Sequence, residues 1–417
     1  MTTIFLKWVS VLSVGILFSA ISLVVFGAFS NSFFQGGFSS KSEEFVFLKR
    51  TPLKGPGFPP IFAYLISGTT GENERILRLL KSVYHPRNRY LLNLDAGSLD
   101  YERRKLALSV QSEKAFQAFK NVDVIGRSYP VEKMGSSAVA AILHGAAILL
   151  KISTDWDWFI TLSASDYPIM TQDDLLHAFT FLPRDLNFIH YNNNSSWKQQ
   201  RNINQIVGDP NLYLQKNTPI FYSSETRVTP EAFKIFGGSP WMILTRDFME
   251  YCAHGWDNLP RTLLMYFTNS VNPLESYFHT VLCNSDDFQN TTVNNNLRYI
   301  LWSNNPQQKP DFLNLSHYKR ILESGAAFAG RFQEEGNLVL QKLDEDILNR
   351  LPNGLVPGKW CLNTAVNRSI ENSNSKLDYC SSWGNINTVK PGARGVKLGD
   401  VLSKLAAGEG LRSSQCN

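Results

Sequence analysis

Between Ile61 and Leu162, short apolar runs alternate with stretches of helical periodicity, and this alternation restricts the possible folds more than any other feature of the chain. Ile61-Phe62-Ala63-Tyr64-Leu65-Ile66 is an apolar run bounded by Pro60 and Ser67-Gly68, as a buried strand should be. The spacing of Ile76, Leu79, Leu80 and Val83 predicts a helix over 72–83. A strand at 90–94 stops at Asp95-Ala96-Gly97; helix is expected over 101–119, strand at 122–125, and a strongly apolar helix over 139–151. Trp158-Phe159-Ile160-Thr161-Leu162 is a further buried strand, ending at Ser163-Ala164-Ser165-Asp166. Such an order of elements implies a parallel α/β sheet. Ligands of these sheets lie beyond the carboxyl ends of the strands, a rule that selects Ser67, Asp95 and Asp166. No GxGxxG follows the first strand and no GxxxxGK[ST] occurs, so the common dinucleotide and P-loop readings lose their main support.

The second half, about 188–332, reads as mixed. Strands are expected near 188–191 and 241–244, with helices over 246–253 and 275–282. Beyond Glu335 the chain becomes richer in Asn, Ser and Gly and carries Cys361 and Cys380; no internal repeat is visible.

The composition and the first sixty residues bear on the compartment. From Trp8 to Phe29 the chain is uncharged and mostly apolar. Crossing a bilayer core takes about 20 helical residues, which this run supplies. A cleaved signal peptide would have a shorter apolar stretch and a small-x-small site, of which Gly27-Ala28-Phe29-Ser30 is a poor version. The expectation is an uncleaved anchor with a short cytoplasmic tail and the bulk translocated. The Ser-, Gly-, Phe- and Pro-rich stretch that follows, ending in Lys54-Gly55-Pro56-Gly57-Phe58-Pro59-Pro60, suits a spacer. Sequons at Asn193, Asn194, Asn290, Asn314 and Asn367 agree with a lumenal face. Five cysteines, none in CxxC spacing, argue against a zinc ribbon or thioredoxin-like motif; an odd count leaves at least one thiol free or paired with another chain. With 41 Lys+Arg against 36 Asp+Glu and no polybasic run, nucleic acid is not an expected partner.

Longer strings narrow the reading. Ile160-Thr161-Leu162-Ser163-Ala164-Ser165-Asp166-Tyr167-Pro168-Ile169-Met170-Thr171-Gln172-Asp173-Asp174-Leu175 resembles the central signature of the core-2/I-branching glycosyltransferase family, in particular the plant branch that transfers glucuronic acid onto arabinogalactan proteins. Three later segments fit the same family: Gly238 to Phe248, Pro273 to Asn284, and Ala326-Ala327-Phe328-Ala329-Gly330-Arg331-Phe332. The resemblance extends over about 60–417. It implies an α/β, GT-A-like (Rossmann-type) domain preceded by a single transmembrane helix and stem. The organisation expected is tail and signal anchor over 1–30, stem over 31–59, catalytic domain over 60–335, and a Cys-containing extension over 336–417 packed on that domain. It further implies a UDP-sugar donor, inversion without a bound metal or other cofactor, and a single-pass type II location in the Golgi membrane with the domain lumenal, where Golgi enzyme complexes are conceivable partners.

Inverting transfer needs a base for the acceptor hydroxyl. The resemblance assigns this to Glu275, in a Pro-x-Glu segment expected to open a helix, where the dipole also favours a carboxylate; the bland reading is a capping Glu. Leu274 departs from the acidic or polar residues common there in relatives. Arg331 matches a basic position that contacts the diphosphate, but relatives usually carry two basic residues in a row, and here Gly330 precedes it. A second cation is therefore expected upstream, with Lys309, Lys319 and Arg320 as candidates. Asp95 matches the family's uridine-contacting acid, or is a turn residue before Gly97. Asp166 touches donor or acceptor. Trp241, Tyr299 and Trp302 are stacking candidates for acceptor sugars, or plain core and rim. Asp155-Trp156-Asp157 precedes its strand, so a metal there would sit at the wrong edge of the sheet; a solvated turn is expected. No HExxH or HxxxH occurs among the seven histidines. The implied reaction moves glucuronate from UDP-glucuronate to β-galactan of arabinogalactan glycans. Its alternatives are a same-family enzyme using UDP-N-acetylglucosamine or UDP-xylose, or a non-catalytic glycan-binding member.

Overall fold

The computed structural model describes residues 50–191, 203–214, 216–302, 310–333, 338–362, 380, 382–407 and 416. Pro52–Asn417 forms one unit and Met1–Thr51 another, of which only Arg50 and Thr51 are described. The expected membrane anchor, most of the stem, and Asn193, Asn194 and Asn367 lie outside the described residues. Among the described residues no helix is long and apolar enough to cross a membrane.

The first half follows the anticipated alternation: β1 (Phe62–Gly68), α1 (Asn73–Ser82), β2 (Arg89–Leu94), α2 (Asp100–Ser112), α3 (Lys114–Phe119), β3 (Val122–Val124), α4 (Ser136–Ile152) and β4 (Trp158–Ser163). Next come β5 (Asp166–Pro168), α5 (Gln172–Thr180), β6 (Asn187–Ile189), the hairpin β7 (Gln205–Gly208) and β8 (Phe221–Thr226), β9 (Ile243–Thr245), α6 (Arg246–His254) and α7 (Leu259–Phe267). The chain ends with α8 (Tyr277–Asn284), β10 (Thr292–Asn294), β11 (Arg298–Ile300), α9 (Tyr318–Glu323), β12 (Phe328–Gly330), α10 (Leu338–Leu343) and α11 (Ala393–Ala407). The single helix expected over 101–119 is two, because Glu113 takes extended backbone between them and its carboxylate pairs with Lys81 at 2.8 Å.

The main sheet has the order β10-β6-β9-β4-β1-β2-β3. It is not wholly parallel: β9 runs antiparallel to both β4 and β6. Central β1 divides its side chains between two cores with the period of two that a strand imposes. Phe62, Tyr64 and Ile66 enter one core, and Ile61, Ala63 and Leu65 the other. Burial on both faces is why this strand reads as a continuous apolar run. A second, three-stranded sheet, β11-β12-β5, stands beyond the end of β4.

The segment after Glu335 is not a separate body. Val339, Leu343, Trp360, Leu398 and Leu402 all belong to the first core. Two neighbouring carboxylates at the start of α5 hold it. Asp173 Oδ2 accepts from the backbone N–H groups of Lys359 (2.9 Å) and Lys390 (2.8 Å), and Asp174 Oδ1 accepts from those of Gly392 (2.6 Å) and Gly395 (3.1 Å). Burial pushes the Asp173 carboxyl up to about 6, and the two N–H donors pull the other way. The disulfide Cys361–Cys380 closes a loop within this segment; Cys283–Cys416 joins α8 to the chain's last described residue, and Cys252 is a buried free thiol. The end of the expected stem is also drawn in. Buried Arg87 donates from Nε to the carbonyls of Pro59 (2.9 Å) and Pro60 (3.0 Å) and from Nη2 to that of Leu53. A buried guanidinium must be surrounded by acceptors, and these residues supply them.

Asp174 Oδ2 also accepts from the Thr171 N–H (3.3 Å) while the Asp174 N–H donates to the Thr171 hydroxyl oxygen (3.1 Å), which completes the reciprocal cap of α5. Asp174→Ala should therefore cost about 3 kcal/mol, about 1 from the cap and the rest from the buried Gly395 N–H left unsatisfied and the Gly392 bond lost. Urea titration should give an earlier midpoint, and trypsin should release fragments from beyond residue 385. An unchanged midpoint would show that the clasp contributes nothing.

Candidate active site

The carboxyl ends of β1, β2 and β4 bring the three residues selected by topology to one edge. Ser67 is in register with Asn93 on one side and Ser163 on the other. The Asp95 backbone N–H donates to the Gly68 carbonyl (3.0 Å), and Asp95 is buried, its carboxylate accepting from Ser98 Oγ (3.3 Å) and Asn217 Nδ2 (3.2 Å). Beside it a cleft of about 250 Å³ opens, lined by Asn93, Tyr129, Ser137, His144 and Asn211 among others.

Asp166 does not trail the end of β4 alone. It begins β5 and is 4% exposed, and its Oδ2 accepts from the Ser163 N–H (2.7 Å) and hydroxyl (3.0 Å). Facing the same oxygen, Arg298 Nη1 stands 2.7 Å away, with the arginine side chain only 2% exposed. Arg298 Nη2 donates to the Thr161 carbonyl of β4 (2.9 Å), and the guanidinium lies 5.6 Å from the Trp241 ring centre. Motif reading missed Arg298. Its signal was an arginine inside the apolar run Leu297-Arg298-Tyr299-Ile300-Leu301-Trp302, since arginine is almost never fully buried without a partner. Of the cations expected upstream, Lys319 and Arg320 are exposed on α9 and Lys309 lies outside the described residues.

Gly330 on β12 pairs with Asp166, and a Cβ there would overlap the Asp166 carboxylate. Any side chain at position 330 would therefore compete for space with Asp166. Arg331 itself is half-buried, its guanidinium 4.2 Å over the Phe312 ring, and the next residue's N–H donates to the Ser165 carbonyl (2.9 Å). Arg298 and Asp166 therefore form one buried pair where the two sheets meet, and Arg331 follows Gly330, the backbone partner of Asp166.

Glu275 does not open a helix. It closes a 3₁₀ turn, Pro273–Glu275, and α8 begins two residues later, because Pro273 follows Asn272 in left-handed backbone and turns the chain before the helix can start. The Glu275 carboxylate is half-buried, with Oε2 shielded from solvent. Its backbone carbonyl accepts from the Gly238 N–H (2.9 Å). Segment 238–241 then connects it to the arginine: Ser239 Oγ accepts from Asn296 Nδ2 (2.8 Å), and Trp241 packs on Arg298. Behind the turn, fully buried His279 has its pKa pushed down to about 4 by burial, partly opposed by the His190 carbonyl.

The remaining stacking candidates separate. Tyr299 packs against the first core with its hydroxyl buried, which makes it a core residue. Trp302 is 46% exposed at the rim, beside residues outside the described set. Asp155-Trp156-Asp157 lies at the opposite edge of the sheet. It is only partly solvated: Trp156 is buried and Asp157 accepts from the Ile61 N–H (2.7 Å), although Asp155 is half-exposed. Asn290 and Asn314 are exposed.

The chain resembles known proteins over most of its length. Residues 62–322 match the family model described as Core-2/I-Branching enzyme. The chain is 45% identical over 358 residues to beta-glucuronosyltransferase GlcAT14A of Arabidopsis thaliana, covering 86% of this chain and 78% of that protein. It is 49% identical over 297 residues to GlcAT14C of the same plant, covering 71% and 76%. Xylosyltransferase 1 of Rattus norvegicus is 32% identical over 252 residues, 60% of this chain and 29% of that protein. With the family model spanning more than half of its length, the chain belongs to the core-2/I-branching enzyme family of glycosyltransferases.

Proposed function

We propose that this transferase is an inverting β-glucuronosyltransferase of GT-A-like fold, moving glucuronate from UDP-glucuronate to a β-galactan chain of arabinogalactan glycans. The observation that carries the reading is buried Arg298, paired with Asp166 at the strand ends and joined through segment 238–241 to the Glu275 turn. The donor is taken from the names of the Arabidopsis relatives.

In this reading the acceptor hydroxyl attacks the anomeric carbon opposite the leaving group. Its proton passes to the Glu275 carboxylate as the new C–O bond forms and the bond to UDP breaks. Charge then develops on the diphosphate, and Arg331 with Arg298 meets it in a site shielded from water. Asp166 holds Arg298 in place and leaves its forked donors pre-oriented, as planar guanidinium groups allow. This supply of positive charge is the support for a reaction without a divalent metal. Asp95 and the cleft beside Asn93 are positioned for the uridine, and Trp241 for an acceptor ring.

The compartment proposed is the Golgi membrane, with residues 8–29 as a type II anchor and the domain in the lumen. Two disulfides among the described residues and exposed sequon asparagines at 290 and 314 support an oxidising, glycosylating compartment.

Glu275→Gln should lower kcat by about 10³-fold, within the span of a removed general base, while the far-UV dichroism is retained. UDP release measured with UDP-glucuronate and a β-galactan oligosaccharide, in the presence of EDTA, checks both donor and metal independence. Release with UDP-xylose alone would move the chain to the donor of its rat relative, and activity abolished by EDTA would overturn the arginine mechanism. Arg298→Met should cost about 10²-fold in kcat, the effect of losing one charge-stabilising donor. It should also destabilise the protein by about 3 kcal/mol through the stranded Asp166 carboxylate. Adding Asp166→Asn should recover stability but not activity, and recovery of both would reduce Arg298 to a packing residue.

A further inference from the structure

The hairpin β7–β8 and its connection carry an unusual amount of exposed apolar surface: Tyr213 is 83% exposed and Phe221 62%, and Leu214, Tyr222 and Val228 are exposed as well. The hairpin is not a loose flap. Val207 donates from its N–H to the Asn269 carbonyl (3.1 Å), Ile206 bridges to Ser270, and Arg227 Nη1 donates to the Tyr266 carbonyl (2.9 Å) with its guanidinium 3.7 Å over the Tyr266 ring. Ser270 stands five residues ahead of Glu275 in the same turn-bearing segment.

Phe221 is held in a defined place. It pairs across the hairpin with Gly208, and a Cβ on Gly208 would overlap the phenyl ring. Glycine inside a strand often marks a close approach, and an aromatic laid across it restores the packing the missing side chain would give. One face of the ring is thus fixed against the strand while the other is open to solvent. Its neighbour Ile220 abuts Gly135, and Met134, one residue earlier, accepts at its carbonyl from the Asn272 N–H (2.9 Å). A continuous path of contacts therefore runs from the Phe221 ring to the turn that ends in Glu275.

We infer that Phe221 is a distal subsite for the acceptor glycan, its exposed ring stacking on the apolar C–H face of a β-linked hexopyranose unit away from the reacting one. The inference rests on the proposed transfer to a galactan and adds where the rest of that chain lies. A polysaccharide suits the surface because sugar rings present a flat apolar face edged by hydroxyls. Phe221 offers an aromatic ring to solvent. Its continuity with the Glu275 turn favours a substrate over a membrane or a protein partner.

The test uses the full-length chain and two β-galactan acceptors, a disaccharide and a hexasaccharide, with UDP-glucuronate as donor. The readout is the ratio of kcat/KM for the long acceptor over the short one. Phe221→Leu, which keeps an apolar cover over Gly208 but removes the ring face, should lower that ratio about tenfold, as loss of one aromatic contact worth about 1.4 kcal/mol would. Phe221→Trp should restore it, and Gly208→Ala, which displaces the ring, should lower it again. A ratio unchanged in an active Phe221→Leu enzyme overturns the subsite and leaves the transferase reading intact. So does binding to anionic lipid vesicles that disappears in the same variant, because it assigns the patch to a membrane. If the unsubstituted chain transfers to neither galactan, the proposed function and the subsite fall together.

Discussion

The ion pair between Asp166 and Arg298 is the contact on which the catalytic edge depends. Arg298 sits on a strand of the smaller sheet, donates to a carbonyl of β4 in the larger one, and stands against a carboxylate that opens β5. The smaller sheet has three strands of three residues each, too few ladder bonds to hold its own position. Burying two charges is costly, and the pair is tolerable only because Ser163 satisfies the carboxylate from two directions and the guanidinium finds the Thr161 carbonyl. Stability gained from such a pair is small. Its value lies in fixing where the two sheets meet.

The same economy of placement appears elsewhere in the fold. Central β1 is covered on both faces, so the sheet offers little freedom at its carboxyl ends. Segment 238–241 is pinned by backbone contacts to His190 and Glu275 at one end and by Trp241 to Arg298 at the other. The clasp of Asp173 and Asp174 brings the C-terminal segment against α5, the helix that follows β5. Residues that touch no substrate thereby fix the backbone on either side of the reacting groups.

What could be read in the sequence follows from this construction. Strands buried on both faces leave apolar runs, and β1, β2 and β4 fell where such runs predict. Strand direction leaves no trace in side-chain pattern, so antiparallel β9 could not be anticipated. Three-residue strands such as β5, β11 and β12 are too short to show a period, and the second sheet went unseen with them. Asp166 was selected correctly as a strand-end acid, but its partner lay 132 residues further on, hidden in an apolar string. Glu275 was found by family likeness; the local pattern around Pro273 suggested a helix start, and the left-handed Asn272 that delays it belongs to tertiary structure. The role of Arg87 in gathering in the end of the stem was equally non-local.

The bond between Cys283 and Cys416 has a consequence for the order of events during biosynthesis. It joins the helix just after Glu275 to a residue 133 positions later, and closing a loop of that size removes about 5 kcal/mol of chain entropy from the unfolded ensemble. Synthesis delivers Cys252 and Cys283 long before Cys416. During that interval Cys283, on the helix just after Glu275, has the thiol of Cys252 as a competing partner wherever oxidation is possible. The native framework avoids that competitor by folding Cys252 into the second core, where burial raises its pKa well above the ordinary thiol value and suppresses the nucleophilic thiolate. Hydrophobic collapse thus decides which disulfide the chain makes before its proper partner has been synthesised.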